Sequence, residues 1–407
     1  MPHPSRHGPG FGATIAALSV GQILSWATLY YGFSSFVLPM MRTAGWDKPT
    51  VMGAFTLGLV TWGLASYAVG AAIDRGHGRA VLTGGALLSA LGCAVWATAT
   101  TPVVLYAAWA LLGATMAMTL YDPVFAIVTQ RYPTRYRQAI TAITLVAGLA
   151  STLSFPACAA LIEALGWRHA LLVLAAVQAL VVVPLNGWAL HGPARHHEPP
   201  AADGVVVDAT LAQALRRPAF WLLTLCFTLN LFASAALWAH LVPAFEAKGW
   251  GATQALAVIV WIGPAQVLSR VVLATLGRRL PMRRVGVAVL LAMPVSLAIF
   301  ALAGSGPWLV LFALLFGLAN GLMTIVRGSL VPEYFGHRQI GRISGAMNAV
   351  GLLARAAGPL VTAALLLALP GYPAVIGVLA LIATAAAAAF LLARPPDARP
   401  GPTRVDG

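Results

Sequence analysis

The sequence predicts an all-α integral membrane protein with twelve transmembrane helices, and three observations carry that expectation. Of its 407 residues, 59% are hydrophobic and 9% charged, with a mean hydropathy of +0.83; a water-soluble fold of this composition would expose large apolar patches. The Leu, Ala and Val runs reach the length of about 20 residues that a helix needs to cross a bilayer, and they lack the alternation of barrel strands. Finally, arginine clusters in alternate loops, as at Arg75 and Arg79, Arg135 and Arg137, Arg216 and Arg217, Arg278, Arg279 and Arg283, and Arg338 and Arg342. The intervening loops carry only Arg42, Lys48, Arg168 and Lys248. This asymmetry places both termini in the cytoplasm and the chain in the cell's inner (plasma) membrane.

The spans are predicted at 12 to 40, 50 to 73, 80 to 100, 103 to 130, 139 to 164 and 170 to 190, then at 218 to 244, 254 to 276, 285 to 303, 307 to 331, 343 to 368 and 374 to 393. Residues 1–190 and 218–393 thus form two six-helix bundles. A polar, Pro- and His-rich stretch, 191–217, holds Glu198, Asp203 and Asp208 and reads as a cytoplasmic linker, and 394–407 as a disordered tail. The first apolar run, from Phe11, has no small-residue cleavage signature and is expected to be retained. The net charge of +14 is a topology signal, so no nucleic-acid partner is expected.

The halves are copies of one design. Pro39 precedes Gly45-Trp46 as Pro243 precedes Gly249-Trp250, an offset of 243 − 39 = 204. The same offset carries Arg75 onto Arg279 and Trp26 onto Asn230; 205 carries Asp122 onto Arg327, and 203 carries Gly148 and Pro156 onto Gly351 and Pro359. Six helices per repeat give both halves one orientation, related by an axis along the membrane normal.

Between the second and third spans stands Gly70, then Asp74-Arg75-Gly76-His77-Gly78-Arg79. This pattern, with the duplicated six-span halves, resembles the major facilitator superfamily over nearly the whole chain. His77 stands where the family usually has Gly, and the second copy has Arg278 in place of the acid. The resemblance implies a transporter that rocks its halves about a central cavity lined by spans one, four, seven and ten. It also makes Asp74, Arg75 and Arg79 a gating latch, with Asp74 pairing with Arg and facing a helix dipole.

Charges inside spans carry the chemistry. Asp122 lies nine residues, roughly 13 Å, from Arg131, and Arg270 eight residues, roughly 12 Å, from Arg278, with Arg327 at a similar depth. Such groups face water or partners, because lipid makes them costly, so the three are expected to converge on an internal cavity. Asp122 is a candidate for coupling or gating, through an ion pair with Arg327 or through a proton. Arg270, with Gln266 one turn before it, suits a planar carboxylate. A narrower resemblance, to the monocarboxylate and oxalate:formate branch, rests on that eighth-span arginine and implies that it holds the substrate anion. Arg355 adds a further buried cation, so the cavity is electropositive and favours an anion. Arg327 is expected to be an anion contact together with Arg270, and Trp26, Tyr30 and Asn230 are further candidates for substrate contact.

Cys93, Cys158 and Cys226 fall inside spans, against a disulfide framework or metal site, and the phosphate loop of ATP-driven pumps is missing. No cofactor and no enzymatic activity are expected. The expectation is a monomeric symporter or antiporter moving a small organic anion such as a monocarboxylate, with a proton as coupling ion. Efflux of lipophilic drugs is the rival within the class, and a membrane sensor that binds without moving solute the rival outside it.

Overall fold

The computed structural model describes residues 8–192, 208–277 and 279–395. Of the features anticipated above, Arg278, Glu198 and Asp203 in the linker, and the tail beyond residue 395 lie outside the described residues. Ten continuous helical stretches are long and apolar enough to cross a membrane. Two of them are broken where a glycine takes a left-handed φ, Gly76 at 89° and Gly166 at 74°, which makes twelve spans. They are α1 (Phe11–Ala44), α2 (Lys48–Ala72), α3 (Gly78–Thr98), α4 (Pro102–Arg131), α5 (136–165), α6 (167–189), α7 (Pro218–Glu246), α8 (Thr253–Thr275), α9 (Met282–Leu302), α10 (Gly306–Phe335), α11 (Ile340–Ala368) and α12 (Tyr372–Leu392).

Local chemistry sets the ends. Asp47 caps α2, its Oδ1 accepting from Thr50 N at 3.0 Å with Pro49 in the first turn, and Thr101 and Pro102 begin α4 in the same way. The duplicated glycines share a conformation, since Gly45 and Gly249 follow the ends of α1 and α7 with φ of 69° and 82°. Only glycine enters that region without strain.

In the first bundle α2 and α3 pack on α4, and α1 on α5; in the second α7 packs on α11 and α12, α8 on α10, and α9 on α10 and α12. Two seams join the bundles. Along one, α2 runs against α11; along the other, the half of α5 that begins at Tyr136 meets α8 and α10. The end of the molecule that carries the arginine-rich turns is here called the basic end.

Two of the irregular spans bear on the site, α1 and α4. In α1, residues 27–31 form a π-turn, and Ser154 Oγ donates to the Ala27 carbonyl at 2.8 Å. In α4, the helix breaks at Leu120, which is extended with ψ −161°. Pro123 explains the break, because it has no N–H to give the Thr119 carbonyl four residues back. Gln22 of α1 replaces that donor, its Nε2 lying 2.5 Å from Thr119 O.

Candidate functional site

The break in α4 places Asp122 in the first turn of a new helical segment, Tyr121–Arg131, where the helix dipole favours a carboxylate. Its Oδ1 accepts from Arg327 Nη2 on α10 at 2.7 Å, and its Oδ2 from Asn348 Nδ2 on α11 at 2.9 Å. Arg327 Nη1 donates to Asn348 Oδ1 at 2.9 Å, closing a three-residue ring, and Asn348 also reaches Ser66 Oγ on α2 at 3.3 Å. The ring therefore ties α4 and α2 of the first bundle to α10 and α11 of the second. Asp122 and Arg327 keep 19% and 21% of their side-chain surface exposed. What they face is a cleft of about 490 Å³, mouth included, whose other walls include Phe125, Phe227, Leu231 and Met347.

On the basic side of that cleft the bundles are sealed. Asp74 accepts from the backbone N–H groups of Gly341 and Arg342, at 2.9 and 2.8 Å, and from Gln130 Nε2 at 2.8 Å. The expected pairing of Asp74 with an arginine of its own turn is corrected here, for Arg75 and Arg79 are exposed and the carboxylate caps the start of α11 instead. Backbone geometry dictates this choice: a Cβ on Gly70 would stand 1.9 Å from the Gly341 carbonyl oxygen, so the two helix ends meet main chain to main chain. Arg137 and Glu333 form a second ion pair across the seam, and the Tyr136 hydroxyl reaches Ser329 O at 3.5 Å.

Arg270 belongs to this seal and does not reach the cleft. It is buried, donating from Nε to Gly321 O at 3.0 Å and from Nη1 to Thr144 O at 2.9 Å. Gly148 makes room for it, since a Cβ there would lie 1.9 Å from Nη1. The expected convergence of Asp122, Arg327 and Arg270 on one cavity is thus corrected to Asp122 and Arg327. Carbonyls of α5 and α10 occupy donors of the third group. Gln266 is half-buried one turn away.

Farther from the basic end, Trp26 is buried and Tyr30 half-buried on α1, and Arg355 of α11 donates to the Tyr30 hydroxyl. Asn230 is buried on α7, where Ser234, one turn on, bonds Asn320 Oδ1 at 3.3 Å. Sequence reasoning missed Asn348, Ser66, Gln130 and Glu333. Asn348 was within reach of the rule applied to the charged residues, because a polar side chain inside a span needs a partner.

The sequence matches the Major Facilitator Superfamily over residues 18–359. It is 28% identical over 277 residues to monocarboxylate transporter 13 of Bos taurus, covering 67% of this chain and 63% of that protein's length. Among solved structures, the human organic anion transporter MFSD10 (TETRAN) superposes with a TM-score of 0.71 at 18% identity, covering 94% of this chain and 100% of that one. A structure of the E. coli fucose:proton symporter FucP gives 0.73 at 14% identity, covering 93% and 98%.

Proposed function

The chain belongs to the Major Facilitator Superfamily of transporters, and from that premise we propose that it moves a small organic anion, a monocarboxylate in particular, by proton-linked alternating access. The observation that carries this reading is the Asp122–Arg327 pair, 2.7 Å long, which joins the two bundles beside an internal cleft. The sealed basic end is the cytoplasmic one in this account, so the conformation is closed toward the cytoplasm. Arg327 beside the cleft and Arg355 farther from the basic end stand against one central acid, Asp122, which favours an anionic solute. The printed descriptions of the similar proteins, a monocarboxylate transporter and an organic anion transporter, support the same class.

Mechanistically, Asp122 serves as the switch. Ionised, it holds Arg327 and Asn348 and keeps the bundles clamped. Protonated, it keeps one acceptor oxygen, loses its charge, and frees Arg327 for the solute carboxylate. Asp74 holds the basic end shut until α11 moves, and Arg270 must release Thr144 O in the same motion. The protein works as a monomer, because each chain carries both bundles.

The test is uptake into vesicles holding the purified protein, with labelled monocarboxylates in one arm and lipophilic cations in the other. Saturable uptake of an acid that falls at least tenfold in Arg327→Gln is expected. Transport confined to the cations would overturn the reading.

A further inference from the structure

The ion pair leaves unexplained an aromatic wall on α1 and its neighbours. The Trp26 ring centroid lies 4.8 Å from Tyr121, 5.4 Å from Tyr30 and 6.0 Å from both Tyr31 and Trp62. The π-turn of residues 27–31 adds to this wall by setting Tyr30 and Tyr31 edge to face, 5.3 Å apart at 89°. Single π-turns within α-helices are costly and recur at functional sites. Tyr31 itself is half-buried at the edge of this wall.

Two further observations say what this wall suits. The indole N–H groups of Trp26 and Trp62, residues only 8% and 3% exposed, are buried without a hydrogen-bond partner. A buried donor left unpaired is unfavourable, and two in one cluster call for an acceptor. The cation is also in place: the Arg355 guanidinium carbon lies 4.8 Å from the centre of the Tyr30 ring.

We propose that this wall binds an arylcarboxylate, a solute with one aromatic ring and one carboxylate. The ring packs edge to face against Trp26, Tyr30 and Tyr31, and the carboxylate takes Arg355 together with the Trp26 indole N–H. A short aliphatic acid would satisfy the cation and leave the ring faces unused. An aromatic cation would meet Arg355, while the acid nearest the wall, Asp122, is already neutralised by Arg327. The inference rests on the organic-anion reading above and narrows it.

Binding to the purified full-length protein, measured by ligand-induced thermal stabilisation, tests it with four probes: benzoate, cyclohexanecarboxylate, lactate and benzyl alcohol. Benzoate is expected to bind several-fold more tightly than cyclohexanecarboxylate, which matches its charge and size but lacks the ring electrons. Lactate should bind more weakly still, and benzyl alcohol should not bind. Arg355→Gln should weaken benzoate at least tenfold. Trp26→Phe, which keeps a ring and removes the donor, should weaken it several-fold and guards against a misfolded arginine variant. Lactate binding as tightly as benzoate would overturn the arylcarboxylate assignment and leave the organic-anion reading standing. Stabilisation by benzyl alcohol with none by any acid would overturn both. Benzoate affinity unchanged in Arg355→Gln and Trp26→Phe alike would remove the site from this wall.

Discussion

Asp122 and Arg327 stand 205 positions apart in the sequence and 2.7 Å apart in space. The offset of 205 sets them at matched places in the two halves of the sequence. The pair is one of the contacts that hold the two bundles together, beside the cleft.

Removing one member should leave the other charge without its counter-ion. Asp122→Asn and Arg327→Gln are each expected to lower stability by about 1–3 kcal/mol, below the figure for a fully buried pair because both side chains keep some exposure. The double variant should cost less than the sum of the singles, since it strands no charge. Thermal unfolding of the four proteins measures this coupling.

Gly70 offers a test of the closed basic end. In Gly70→Ala the new Cβ would stand 1.9 Å from the Gly341 carbonyl oxygen, and backbone cannot swing aside as a side chain would. The Asp74 cap on α11 should open, and the conformational balance should move toward an open basic end. Labelling of a single cysteine placed at Ser344, which lines the cleft, should become at least several-fold faster than without Gly70→Ala.

The break in α4 predicts a compensating pair. Gln22→Leu should cost about 1–3 kcal/mol by leaving the Thr119 carbonyl unpaired. Adding Pro123→Ala supplies a backbone N–H to that carbonyl and should recover most of the loss, as thermal unfolding of the single and double variants would report.

Acid should weaken the turn between α10 and α11. Burial holds the His337 pKa below the ordinary histidine value of 6.5, with Asp208 opposing more weakly. Tyr136 packs on the ring at 5.5 Å, near the Arg137–Glu333 pair. Because the folded pKa is depressed, the folded state binds fewer protons than the unfolded one. His337 therefore contributes no pH dependence well above pH 6.5, and stability falls as the pH drops below that value toward the folded pKa. His337→Gln should flatten the slope between about pH 6.5 and 5, as unfolding midpoints measured across that window would show.

Much of the architecture is legible in one chain because lipid enforces it. A span must be long, apolar and helical, so the twelve helices follow from composition and arginine spacing. The repeat then led to the Asp122–Arg327 pair, since offset alone aligns the two residues. Hydrogen bonds to main chain were not legible, because a carbonyl or N–H carries no residue identity. Asp74 turned from its neighbouring arginines to the start of α11 for this reason, and Arg270 gave its donors to Gly321 and Thr144. The break at Leu120 was hidden in the same way, for Pro123 marks it only once Gln22 is found beside it.

The claim that Asp122 couples solute movement to protons is tested most directly by comparing two assays of Asp122→Asn in reconstituted vesicles. One is exchange of labelled against unlabelled carboxylate at equal pH, and the other is accumulation driven by a pH gradient. The account predicts that exchange persists within a few-fold of the unaltered protein while accumulation is abolished. Gradient-driven accumulation that survives intact in Asp122→Asn would contradict it.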